Sequence, residues 1–201
     1  NVVYDGCGHI KTISEAKNIL AIADVDETLG AISVYDLNEF LSIVSLIDDG
    51  NIEYKDGEAV ISNTKGHKVK YVYADPNILT KPTKDITMPE ADVTIDLTSE
   101  EIDTIRKAAG TLGHNTLRFE SDGSSELNIS VVDSTGASNN NYTFSKTTDN
   151  STKFVFDILI NNLKLIPSDY KVELSSKLIS KWTSLDVGYY IALEGTSKYG
   201  E

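Results

Sequence analysis

The chain has 201 residues and a formal net charge of −13, with 31 acidic side chains against 18 basic ones. That balance excludes a protein gripping nucleic acid with its whole surface, because nonspecific affinity comes from neutralised phosphates; it leaves room for one that gathers its cations in one place. With 40% hydrophobic and 24% charged residues the chain reads as folded rather than disordered, and its single cysteine, Cys7, excludes an intramolecular disulfide and fits a reducing compartment.

In chain order, the first elements are strand-like stretches at 2–4, 9–13 and 19–23, the first two parted by a turn at 5–8. The stretch ADVDETL at 23–29 carries Asp24, Asp26 and Thr28, the Asp-x-Asp-x-Thr spacing of haloacid-dehalogenase-like phosphatases, in which one Asp attacks and the other is acid or base beside Mg²⁺. The antiparallel hairpins expected after 49 argue against the alternating βαβ units that such an enzyme needs. This phosphatase is the alternative function, and otherwise these acids are the solvated end of a strand.

The stretch 32–49, ISVYDLNEFLSIVSLIDD, reads as a short strand ending at Asp36, which caps a helix with apolar positions at Leu37, Phe40, Leu41, Val44 and Ile47. Asp36 with Glu39 has the spacing of a capping box. The other face, Asn38, Ser42 and Ser45, is small, polar and uncharged, which suits a surface that something passes over without sticking. Strands at 52–54 and 59–62 follow.

The segment 74–92 holds Pro76, Pro82 and Pro89, three of the four prolines, and reads as an extended, stiffened connector. Its apolar Leu79, Ile86 and Met88 either pin it to the domains or form a docking strip.

A second capping box at 98–101 opens a helix over 99–112 with the stripe Ile102, Ile105, Ala109 and Leu112, placing Lys107 opposite that stripe and Arg106 on its flank. A hairpin follows at 116–119 and 127–132. Then Phe154-Val155-Phe156-Asp157 is expected to lead into a helix over 158–166 with Asn161 and Lys164 on its polar side, and strands at 170–174 and 189–193 close the chain. Aligning Asp36 on Asp157 sets a repeat offset of 121, too long for a solenoid and right for a duplicated domain. The second copy has a helix before its hairpin and the first has none, so the repeat predicts a helix preceding Asn1 in a longer protein.

Catalytic signals are thin. His9, His67 and His114 lack ligand-spaced partners, Cys7 has no evident base, and no phosphate-cradling glycine loop is present, so neither enzyme activity nor a cofactor or metal is expected. The longest apolar run falls far short of the roughly 20 residues of a membrane helix.

SVYDLNEFLSIVSLIDD, FDILINNLKLIPSDYKVEL, ADPNILTKP and YYIALEG together resemble the DNA polymerase sliding clamps of T4-like bacteriophages, over about 2–194. The resemblance implies an α+β fold of two duplicated clamp domains, 1–78 and 93–201 joined by a connector at 79–92, with antiparallel sheets outside and helices lining a hole. It implies a homotrimeric ring around duplex DNA, tethering a DNA polymerase, loaded by a clamp loader, serving phage late transcription factors as further partners, in the cytoplasm of an infected bacterium. On that reading Arg106, Lys107, Lys153 and Lys164 face DNA with Asn38, Ser42 and Ser45, while Leu79, Ile86, Met88, Tyr190 and Ala192 receive partner peptides.

Overall fold

A computed structural model describes residues 1–6, 8–25 and 30–200. The chain divides into two compact units, Asn1–Asp85 and Ile86–Glu201.

The first unit contains β1 (Val2–Tyr4), β2 (His9–Ile13), β3 (Ile19–Asp24), β4 (Ile32–Val34), α1 (Leu37–Leu46), β5 (Asn51–Lys55), β6 (Glu58–Ser62) and β7 (Lys68–Val72). Strand β1 pairs with β4, β2 with β3, and β5, β6 and β7 form a meander. The Asp36 carboxylate accepts from the backbone N–H groups of Asn38 at 2.9 Å and Glu39 at 3.2 Å, satisfying two donors of the first helical turn. Glu39 does not return the bond, so only half of the expected capping box forms.

The core of this unit is Val34, Phe40, Ile47, Ala59, Ile61 and Tyr71, with Phe40 edge-on to Tyr71 at 5.0 Å. Leu37 and Leu41, expected in that core, are 40% and 53% exposed. The buried line of α1 runs through Phe40, Ile43 and Ile47 at helical spacing, and Leu37 and Leu41 lie on its flank.

The second unit contains β8 (Val93–Leu97), α2 (Ser99–Leu112), β9 (Thr116–Asp122), β10 (Glu126–Val132), β11 (Tyr142–Thr147), β12 (Lys153–Leu159), a 3-10 turn (Ile160–Asn162), β13 (Tyr170–Ser175), β14 (Ile179–Thr183), β15 (Val187–Ala192) and β16 (Lys198–Tyr199). One sheet runs β11-β10-β9-β12-β16. In the other, β8, β13, β14 and β15 lie side by side. Inside each unit every pairing is antiparallel, and between these two sheets the fully buried Phe119 meets Trp182 edge-on at 6.5 Å.

Helix α2 keeps its expected bounds. Thr98 Oγ1 accepts from the Glu101 N–H and Glu101 Oε2 accepts from the Thr98 N–H, a complete capping box. At the other end Gly113 takes a left-handed φ of 70°, where the lack of a Cβ removes the steric cost.

The duplication holds at the level of elements: β4-α1-β5-β6-β7 matches β12-turn-β13-β14-β15 in order. The second helix, however, shrinks to a single 3-10 turn, and Asp157 caps nothing. It lies within β12, 1% exposed, opposite Arg118 in the register with β9. Arg118 donates through Nε at 2.8 Å and Nη2 at 2.9 Å, and Thr196 donates its hydroxyl at 2.9 Å. Phe154, Phe156 and Ile158 continue strand alternation through this point; after the turn Leu163 and Leu165 are buried while Lys164 and Ile166 are exposed, a period of two that Pro167 closes.

The phosphatase reading fails on this topology. Asp24 ends β3 in an antiparallel hairpin and takes a 2.6 Å bond with His9 Nδ1, while Asp26 and Thr28, like Cys7, fall outside the described residues. Antiparallel hairpins do not bring an acidic loop to the carboxyl edge of a parallel sheet, where that chemistry is assembled.

Candidate DNA-facing and partner-binding surfaces

Both helices turn a face to solvent whose hydroxyls are already spent. On α1 the Ser42 hydroxyl donates to the Asn38 carbonyl at 2.8 Å and the Ser45 hydroxyl to the Ser42 carbonyl at 2.8 Å. On α2 the Thr104 hydroxyl donates to the Glu100 carbonyl at 2.8 Å and the Thr111 hydroxyl to the Lys107 carbonyl at 2.9 Å. Side chains bonded back onto their own helix offer no donor pointing outward. Asn38, Ser42 and Ser45 are all exposed, as is Lys107, midway between Thr104 and Thr111.

The four expected DNA-facing cations have separate surroundings. Lys107 stands in the open on α2. Arg106 is drawn away: its Nη2 donates to the carbonyls of Leu163 at 2.8 Å and Leu165 at 3.1 Å, and Nη1 reaches Asp103 at 3.5 Å. Those bonds hold the extended 163–165 segment to the flank of α2, so the exposed Lys164 lies beside the helix that carries Lys107. Lys153 faces Asp122 across the β9–β12 register, in a cleft also lined by Glu120 and Glu126. Three carboxylates around one ammonium make a poor seat for phosphate.

Arg106 therefore has a structural role that its position on the helix did not reveal. Arg106→Ala should leave two carbonyls short of a donor and lower the unfolding free energy by about 1–2 kcal/mol in urea melts. It should leave the salt dependence of DNA binding unchanged; a flatter dependence would return Arg106 to the phosphate contacts.

The expected partner-binding residues divide similarly. Leu79 is 6% exposed, out of reach of a partner, whereas its neighbour Ile78 is 70% exposed and Ile86 37%. Burial takes Leu79 because an apolar side chain in a proline-stiffened segment has few ways to turn from the core. Met88 is half-buried. Tyr190 and Ala192 are half-buried on the face of β15 opposite the buried Tyr189 and Ile191, with Lys181 Nζ 5.8 Å from the centre of the Tyr190 ring.

No group of three or more metal-ligating side chains occurs among the described residues, and no helix there is long and apolar enough to cross a membrane.

The family description "gp45 sliding clamp, C terminal" matches residues 94–195. The sliding clamp of Escherichia phage RB69 is 32% identical over 182 residues, covering 87% of this chain and 79% of that protein. The sliding clamp of Vibrio phage KVP40 is 27% identical over 199 residues, covering 96% and 90%. Among solved structures, A. fulgidus PCNA bound to the C-terminal region of FEN-1 superimposes with a TM-score of 0.65 at 14% identity, covering 98% of this chain and 89% of that one. The likeness to these clamps runs across nearly the whole sequence, and the chain belongs to the gp45 sliding clamp family.

Proposed function

We propose that this protein is a sliding clamp: three copies close a ring around duplex DNA and tether the replicative polymerase, so that synthesis continues without dissociation. A clamp loader sets the ring on DNA, late transcription factors use it as well, and the setting is the cytoplasm of an infected bacterium. The observation that carries this reading is the pair of helix faces whose hydroxyls are satisfied internally and which hold one exposed lysine between them. Such a face attracts phosphate weakly and lets it go. The work is topological and needs no catalytic group, because tethering raises the local concentration of the partner at the primer end.

Two open sheet edges support ring closure. Strand β7 ends the first unit's meander and β11 ends the second unit's five-stranded sheet. An edge of one unit pairing with the unlike edge of another copy is a head-to-tail contact, which generates a closed ring when the rotation closes. The polymerase and other partners are assigned to the second unit's Ile86, Met88, Tyr190 and Ala192. That the solved A. fulgidus PCNA binds the C-terminal region of FEN-1 supports partner docking as such.

The test is retention. With loader and ATP the protein should stay on a nicked circular plasmid through gel filtration and leave once the plasmid is cut to a linear form, and its native mass should be that of three chains. Equal loss from circular and linear DNA would refute encirclement.

A further inference from the structure

The first unit contains a cleft of about 350 Å³ where β2 faces the connector stretch 81–85. Three lysines, Lys11, Lys81 and Lys84, line it together with His9, the carboxylates Asp5 and Asp85 and the apolar Val3 and Pro82. In a chain of −13 this concentration of cations is out of keeping with the surface at large. Lys81 and Lys84 are exposed and make no ion pair among the described residues, whereas Lys11 Nζ already holds a carboxylate, Asp85 Oδ1 at 2.7 Å. The Asp85 carboxyl is held below its ordinary range by that hydrogen bond and by the lysine's charge.

We propose that this cleft receives an acidic segment of a partner protein, whose carboxylates meet Lys81 and Lys84 and replace Asp85 at Lys11. The inference rests on the clamp reading and adds to it the charge of the partner. Asp85 is an internal stand-in: a carboxylate on a short extended stretch, seated where the partner's would sit, with a surface ion pair weak enough to exchange. The volume admits a few side chains. Duplex DNA fits less well, since a cleft of about 350 Å³ admits a few side chains and not a stiff double helix. Opposite charge would also speed the encounter, in a manner that salt suppresses.

The experiment uses the full chain and fluorescein-labelled hexaglutamate, with hexaglutamine as control and an unlabelled DNA duplex as competitor, read by fluorescence anisotropy at low salt. Hexaglutamate should bind and hexaglutamine should not; Lys81→Glu with Lys84→Glu should raise Kd by at least about tenfold, and Lys81→Arg with Lys84→Arg should restore it. Binding unchanged by the charge reversal would overturn the proposal, and so would displacement of the peptide by duplex DNA, which would make the cleft a phosphate site. Plasmid retention measured on the same samples separates the two ideas: if the parent protein is retained and peptide binding ignores the reversal, the cleft fails alone; if the parent is not retained on circles, the clamp reading fails whatever the peptide does.

Discussion

Replacing Asp157 by Leu should lower the unfolding free energy by about 2–3 kcal/mol, a large share of what holds a domain of this size together. The carboxylate is 1% exposed and accepts three hydrogen bonds, two from the Arg118 guanidinium and one from Thr196. Removing it leaves a partly buried guanidinium without its carboxylate. The cost falls below that of breaking a fully buried pair because the Arg118 side chain keeps 32% of its exposure and turns partly to water. Urea melts followed through Trp182, the chain's single tryptophan and fully buried in the same unit, read the change directly. Asp157→Leu combined with Arg118→Met should recover much of the loss, since an apolar pair carries no desolvation penalty. A single Asp157→Leu variant as stable as the parent would mean that the pair contributes specificity and no stability.

This same residue marks where sequence reasoning reached its limit. Asp36 and Asp157 each follow a short apolar strand and precede an apolar run, and nothing local separates them. What decides is Arg118, 39 residues away in sequence and directly opposite on the neighbouring strand, which makes the carboxylate worth more inside the sheet than at a helix end. Helix α2 was legible to the residue because its signals are local: Thr98 and Glu101 cap each other three positions apart, and Gly113 supplies the left-handed turn at the end. The duplicated order of elements was legible in part: the strand before each apolar run and the strand after it were expected in both copies, whereas 59–62 has its counterpart in β14 and not in 189–193. Strands β7, β8, β11, β14 and β16 are not among the expected ones; β7 and β11 are edge strands rich in polar residues, whose pairing is set by neighbours and not by their own pattern.

The candidate site divides along the same line. Asn38, Ser42, Ser45 and Lys107 were found from helical spacing alone, and the structure keeps all four exposed. Arg106 was equally visible as a cation, but its partners are carbonyls 57 and 59 residues further on, which no spacing rule reports. Leu79 looked like an anchor in a proline-rich strip and proved to be buried, because composition says which residues are apolar and only packing says which way they face. The cleft beside β2 joins residues 74 apart through Lys11 and Asp85, and so lay beyond the sequence altogether.

With Arg106 committed to carbonyls and Lys153 set among carboxylates, the phosphate contacts expected of the second unit fall to Lys107 and Lys164. Each lysine that neutralises a phosphate releases condensed counterions, so that log K falls with log salt by about 0.9 for every contact. Lys107→Glu with Lys164→Glu removes two contacts per copy and takes the formal charge of each chain from −13 to −17, a change of −4. DNA retention should therefore weaken by more than about tenfold at low salt, and its salt dependence should flatten by up to about 2 per copy, while the urea midpoint stays where it was because both side chains are exposed. Arg106→Ala shows the opposite pattern, lower stability with an unaltered salt slope, and the two variants measured together distinguish a cation that touches DNA from one that braces the helix. An unchanged slope in the doubly reversed protein would mean that α2 does not face the duplex, and the internally satisfied hydroxyls of Thr104 and Thr111 would then need another explanation.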